Sequence, residues 1–127
     1  MLAKVINIVG AMRRAGVTIL AGTDPPTRDV FPGFSLHDEL ALLVEAGLTP
    51  MEALQAATKN AAEALGAARD YGTVEKGKLA DLVLLDANPL TDISNTTKIA
   101  AVIRRGAIFE KKALDEMLAK VAAAGAD

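Results

Sequence analysis

The run Val17-Thr18-Ile19-Leu20-Ala21 is β-prone and stops at Gly22-Thr23-Asp24-Pro25-Pro26, a boundary that constrains the fold more than any other feature of the chain. Neither proline can donate to a strand ladder, so a strand formed by this run ends there. Before it, Leu2, Val5, Ile6, Val9 and Met12 recur at the spacing of a helix with one buried face. Arg13 and Arg14 fall in the last turn, and Gly16 marks the stop. Helix, strand, loop is the order of an α/β unit. It places Asp24 just past the carboxyl end of the strand, where parallel α/β folds carry their reactive groups.

The chain has 127 residues, 51% of them hydrophobic, enough for one compact domain with a core built from Leu, Ile, Val and Ala. Fourteen basic and sixteen acidic residues give a formal net charge of -2 without a long run of either sign. Neither a nucleic-acid nor an anionic-membrane partner is indicated. The absence of cysteine excludes disulfides, thiolate metal ligands and cysteine nucleophiles. No stretch approaches the roughly 20 apolar residues of a membrane-crossing helix, and the opening residues read as a helix, not a secretion signal. The expected location is cytoplasmic.

The loop from Gly22 to Phe34 contains three prolines and two glycines, and Ser35 is placed to cap a helix beginning at Leu36, with Asp38 three residues along. Leu36, Leu40, Leu43 and Val44 share one face, and Gly47 ends that helix. In Thr49-Pro50-Met51-Glu52 the threonine is an N-cap, the proline takes the first helical position, and Glu52 completes a capping box. The alanine-rich run from Asn60 to Leu65 predicts another helix, stopped by Gly66. After Tyr71 the texture turns β-like. Gly72 to Lys78 reads as a short strand and turn, and Leu82 to Leu85, bracketed by Asp81 and Asp86, as a strand buried on both faces. Ile99 to Ile103 and Ala107 to Phe109 form a hairpin around Arg104-Arg105-Gly106. Leu114, Met117, Leu118 and Val121 stripe a last helix, and the alanine-rich end beyond it is expected to fray.

Few residues offer chemistry. Asp24 has the position and type of a metal ligand, or else caps the turn made by Pro25 and Pro26. His37, the single histidine, lies in the first turn of the helix after Ser35. It either faces the same pocket as Asp24 or packs near a helix N-terminus. Thr23 and Arg28 contact a polar substrate from the same loop, or serve as a turn residue and a solvated cation. Glu39 reads as part of the charge pattern at the helix start. No serine elbow accompanies His37, so no Ser-His-Asp arrangement is legible.

Three blocks taken together resemble the C-terminal region of metal-dependent amidohydrolases: Ala21-Gly22-Thr23-Asp24, then Gly33 to Leu40, then Leu43-Val44-Glu45-Ala46-Gly47-Leu48-Thr49-Pro50. The likeness continues through Glu52 to Ala62 and Gly72 to Leu90, and is nearest the imidazolonepropionase and Xaa-Pro dipeptidase-like branch. It implies a hydrolase of carbon-nitrogen bonds in non-peptide amides, cyclic amides or dipeptides, with a TIM-like barrel and a small β-sandwich. It also implies that Asp24 follows the last barrel strand, binds a divalent metal, zinc above all, and carries a proton from the attacking water to the leaving group.

The family's His-x-His after the first barrel strand, its bridging lysine and its later histidines have no counterpart here, and about seven of the eight barrel strands are missing. The expected fold is therefore α/β or α+β. Residues 1–70 would be a fragment of the barrel, holding its last strand and following helices. Residues 71–127 would be part of the sandwich plus a C-terminal helix, with the strands repacked or swapped. One aspartate and one histidine fall short of the three protein ligands of a catalytic zinc, so this chain alone is expected to hold no metal stably and to be inactive. The expected partner is a second copy or a missing N-terminal portion, because uncovered strand edges invite pairing. The competing expectation is a non-catalytic oligomerisation or interaction module.

Overall fold

The computed structural model describes residues 2–25 and 30–125. Among them, four helices come first: α1 (Leu2–Arg14), α2 (Ser35–Glu45), α3 (Pro50–Ala57) and α4 (Lys59–Ala64). Strands β1 (Leu82–Leu85), β2 (Ile99–Arg104) and β3 (Ala107–Glu110) follow, with a 3-10 turn at Ile93–Thr97 before β2, and α5 (Lys111–Ala124) closes the order. None of these helices is long and apolar enough to cross a membrane.

The core is small and lies between α2 and α3. Leu40 and Leu43 of α2 meet Ala53 and Ala56 of α3, with Ala46 and Leu48 from the connection between them. Ala53 and Ala56 are fully buried, and their single methyl groups allow the helices to approach closely. Ile93, from the 3-10 turn, joins the same cluster and so ties the strand region to the helices. The start of α3 is as predicted: Thr49 Oγ1 accepts from the Glu52 N–H at 3.2 Å, and Glu52 Oε2 accepts from the Thr49 N–H at 2.7 Å.

The start of α2 differs from expectation. The helix already includes Ser35, Phe34 holds the cap position without a side-chain bond, and Ser35 Oγ accepts from the Phe31 N–H at 2.8 Å. The serine hydroxyl thus closes the preceding turn and does not cap the helix, so Asp38 has no capping box to complete.

The sheet is antiparallel in the order β1-β2-β3. Leu82 faces Ile103 and Ala101 faces Glu110, with an irregularity in the β1 register between Leu84 and Leu85. The predicted hairpin is present: Arg105 and Gly106 turn at φ 50° and 83°, the positive values that a two-residue hairpin loop requires. The expectation that Leu82 to Leu85 is buried on both faces fails. Val83 and Leu84 are 56% and 59% exposed, because β1 is an edge strand of a three-stranded sheet with too little cover for two faces.

Two further predicted strands do not form. Gly72 to Lys78 is a succession of turns, in which Lys78 Nζ donates to Thr73 Oγ1 at 2.5 Å and the Leu79 N–H to the Asp70 carbonyl at 3.0 Å. Val17 to Ala21 takes no regular structure and belongs to no ladder, since no neighbouring strand lies beside it among the described residues. β-Propensity records fitness for a pleated, half-buried surface, and without adjacent strands that surface does not exist. For the same reason the apolar stripe of α1 is only partly used. Ile6 and Val9 pack on the core, whereas Leu2 and Val5 are 58% and 51% exposed. The last helix continues through the alanines expected to fray, as far as Ala124.

Gly10 sets how closely α1 meets α2. It is buried, and a methyl group added there would lie 2.4 Å from the Ala46 carbonyl oxygen. Glycine to alanine in a helix interior ordinarily stabilises by about 1 kcal/mol, but backbone overlap of this kind costs about 1–3 kcal/mol. Gly10→Ala is therefore expected to destabilise the chain, read as a lower urea midpoint; an unchanged or raised midpoint would contradict the close approach.

Candidate active site

The segment from Val17 to Asp24 belongs to no sheet among the described residues, and helices supply partners for several of its polar backbone groups. The Val17 N–H donates to the Met12 carbonyl at 3.0 Å as the chain leaves α1. Asn60 Nδ2 of α4 donates to the Ile19 carbonyl at 3.2 Å, and the Ala21 N–H donates to the Ala56 carbonyl of α3 at 3.1 Å. The last tether is the Gly22 N–H, which donates to Glu39 Oε1 of α2 at 2.8 Å. Three helices thus hold three consecutive stretches of this segment, and Asp24 follows two residues after the final hold.

Asp24 is exposed and has φ 52°. A left-handed backbone costs a non-glycine residue about 1–2 kcal/mol, aspartate tolerating it better than most, and the residue before a proline is normally driven to extended values. Asp24 precedes Pro25, so its conformation opposes its local sequence. Backbone outliers of this sort gather at active sites and ligand clamps. Thr23, beside it, is half-buried.

His37 is half-buried and engages the strand region. Thr96 Oγ1 donates its one hydrogen to the Ile93 carbonyl at 2.9 Å and lies 3.0 Å from His37 Nδ1. The hydroxyl hydrogen being given to Ile93, Nδ1–H is assigned as the donor to Thr96. Thr23 and Asp24 thus adjoin through the chain, while the hydrogen bond of His37 runs to the 3-10 turn and not to Asp24. Arg28 lies outside the described residues.

Glu39 was the residue hidden from sequence reasoning. It does not belong to a solvated charge pattern at the helix start. Oε1 accepts from Gly22, and Oε2 is buried without a partner among the described residues. The signal was available: Glu39 falls three residues after Leu36 and four before Leu43, a charged side chain inside the apolar stripe of α2. α2 accordingly acts as a crosspiece, holding the 3-10 turn through His37 and the Asp24 segment through Glu39.

Among the described residues, no group of three or more His, Cys, Asp or Glu lies close enough to hold a metal ion. With Asp24 as a lone exposed carboxylate, these residues by themselves do not fit a catalytic zinc, which takes three protein ligands. An open cleft of about 420 Å³ lies on the α1 side, walled by Arg13, Val17, Glu52, Gln55, Asn60 and Glu63. It includes none of Thr23, Asp24 and His37.

The Amidohydrolase family profile matches residues 3–109, and the chain belongs to the amidohydrolase family. It is 43% identical over 82 residues to the imidazolonepropionase of Shouchella clausii (strain KSM-K16), an alignment covering 61% of this chain and 17% of that protein. Among solved structures it resembles a Xaa-Pro dipeptidase with bound methionine in the active site, with TM-score 0.76 and 33% identity over 83% of this chain and 25% of that one. Phenylurea hydrolase B gives TM-score 0.73 and 36% identity over 83% of this chain and 26% of the other. The chain therefore spans between 17% and 26% of the length of these relatives, as a mixed helix and strand region.

The electrostatics of the frame rest on Glu52. Its carboxyl is held down from the ordinary 4.5 to about 2, first by the Thr49 backbone N–H, then by hydrogen bonds from Arg13 and the Thr49 hydroxyl. Arg13 Nη2 lies 2.8 and 3.0 Å from the two Glu52 oxygens and joins the end of α1 to α3. The folded value lies below the unfolded one, so this contribution is complete above about pH 4.5 and is lost as pH falls toward about 2. Urea midpoints measured between about pH 5 and about pH 2.5 should fall with acid in the wild-type chain and fall less steeply in Glu52→Gln. Parallel pH profiles for the two proteins would contradict the assignment.

Proposed function

We propose that this chain is the C-terminal part of a metal-dependent hydrolase of carbon-nitrogen bonds, acting on a non-peptide amide, a cyclic amide or a dipeptide, and that it is inactive alone. The observation that carries the reading is Asp24: an exposed carboxylate in a disfavoured backbone conformation, at the end of a segment tethered by three helices, inside a region that matches the amidohydrolase family. The names of the relatives support the bond type, since a Xaa-Pro dipeptidase and a phenylurea hydrolase both cleave at a carbonyl-nitrogen linkage.

In this reading Asp24 accepts a proton from the attacking water and returns it to the leaving nitrogen, a task suited to a carboxylate within hydrogen-bond reach of both. In the same reading Thr23 and His37 border a substrate pocket around Asp24 that the partner polypeptide completes, apart from the cleft on the α1 side. The remaining polar groups come from a partner polypeptide, a second copy or an N-terminal portion, that covers the apolar side of α1 and the exposed Val17 and Leu20. Those same uncovered residues favour the second reading, a non-catalytic interaction module derived from an amidohydrolase.

Zinc content and hydrolysis of a dipeptide, a cyclic amide and a simple amide, measured on the purified chain, test the first reading. The expected result is neither stoichiometric zinc nor turnover. Zinc at one equivalent with turnover abolished in Asp24→Asn would overturn inactivity while upholding the role of Asp24, and turnover unchanged in Asp24→Asn would sink that role. Solution mass at several concentrations addresses the partner: a second copy predicts a mass above 13.2 kDa that rises with concentration, and 13.2 kDa throughout would exclude it.

A further inference from the structure

We infer that Glu39 is the positioning residue for Asp24, fixing the direction in which the carboxylate is presented; the inference rests on the catalytic reading of Asp24 only for its functional meaning. The tethers of this segment are of two kinds. The hold on Ala21 comes from a backbone carbonyl, which substitution leaves in place, and the hold on Ile19 lies five residues before Asp24. Glu39 supplies the one closest to Asp24, and it is a side chain.

The conformation of Asp24 makes such a hold necessary. Left to its neighbours, an aspartate before proline takes an extended backbone, so a φ of 52° requires constraint from outside the local sequence. The hydrogen bond that Gly22 gives to Glu39 is charge-assisted and reaches across 17 positions, from a helix whose adjacent residues Leu40 and Leu43 are locked in the core. A carboxylate set into the apolar stripe of α2, with one oxygen buried and unpartnered among the described residues, is costly to keep. Holding the Asp24 segment accounts for its presence there.

The test compares wild type, Glu39→Gln and Glu39→Ala by amide hydrogen exchange and by the one-bond Cα–Hα coupling of Asp24, which is lowered when φ is positive. Glutamine keeps an acceptor oxygen at the same reach and alanine does not. In Glu39→Ala the Gly22 amide should exchange roughly tenfold faster or more, the Ala21 amide should keep its protection, and the Asp24 coupling should move to the value of a negative φ. Glu39→Gln should restore wild-type behaviour at all three positions. Unchanged Gly22 exchange in Glu39→Ala would overturn the tether. An unchanged Asp24 coupling with faster Gly22 exchange would overturn the positioning role. If Glu39→Ala fails to fold, Glu39→Asp decides: shortened by one methylene, it should free Gly22 and Asp24 while Ala21 stays protected, and wild-type values would refute the inference. Neither readout needs turnover, so a failure here is distinct from a failure of the proposed catalytic role.

Discussion

A segment outside any helix or sheet must find partners for its backbone, and the organisation of this chain around residues 17–24 follows from that requirement. A strand in a ladder has its N–H and C=O groups answered by neighbours at regular intervals. Here the answers come singly and from helices: the carbonyl of Ala56, the amide of Asn60, the carboxylate of Glu39. Each presumes that its helix is already fixed; α2 and α3 are fixed by the small core of Leu40, Leu43, Ala53 and Ala56, and α4 follows α3 directly in the chain. The position of Asp24 is thereby a property of the α2 and α3 packing, although Asp24 touches neither helix through any hydrogen bond among the described residues.

This explains which parts of the molecule were legible in the sequence. Features with a local cause were readable. The Thr49 to Glu52 capping box is complete within four residues, the Arg105-Gly106 turn within two, and the helices at 2–14 and 59–64 follow from spacing and alanine content. Features that depend on what lies alongside were not. Val17 to Ala21 has strand chemistry and no strand neighbours. Leu82 to Leu85 has the apolar run of a doubly covered strand and an edge position. Ser35 has the composition of an N-cap and spends its hydroxyl on the turn before the helix.

The candidate site divides in the same way. Asp24 could be picked out because its place, after a β-prone run and before two prolines, is a local pattern. Glu39 could not be picked out by that logic, because its partner is a backbone N–H 17 residues earlier. His37 illustrates the intermediate case: its place in the first turn of α2 is plain from sequence, whereas its pairing with Thr96, 59 positions on, is a fact of tertiary structure. The residue most visible in a motif and the residue that holds the motif in place are different, and the second shows in the sequence only as a charge inside an apolar stripe, with no mark of what it holds.

The tethers also have an order in time. During synthesis the Asp24 segment leaves the ribosome before any of the side chains that hold it, and Asn60 follows Ile19 by 41 positions. At roughly 5–20 residues per second, that interval is about 2–8 seconds. Through it the hydrogen bonds from Glu39, Ala56 and Asn60 have yet to form, and the aspartate acquires its fixed direction only once α2, α3 and α4 have all emerged.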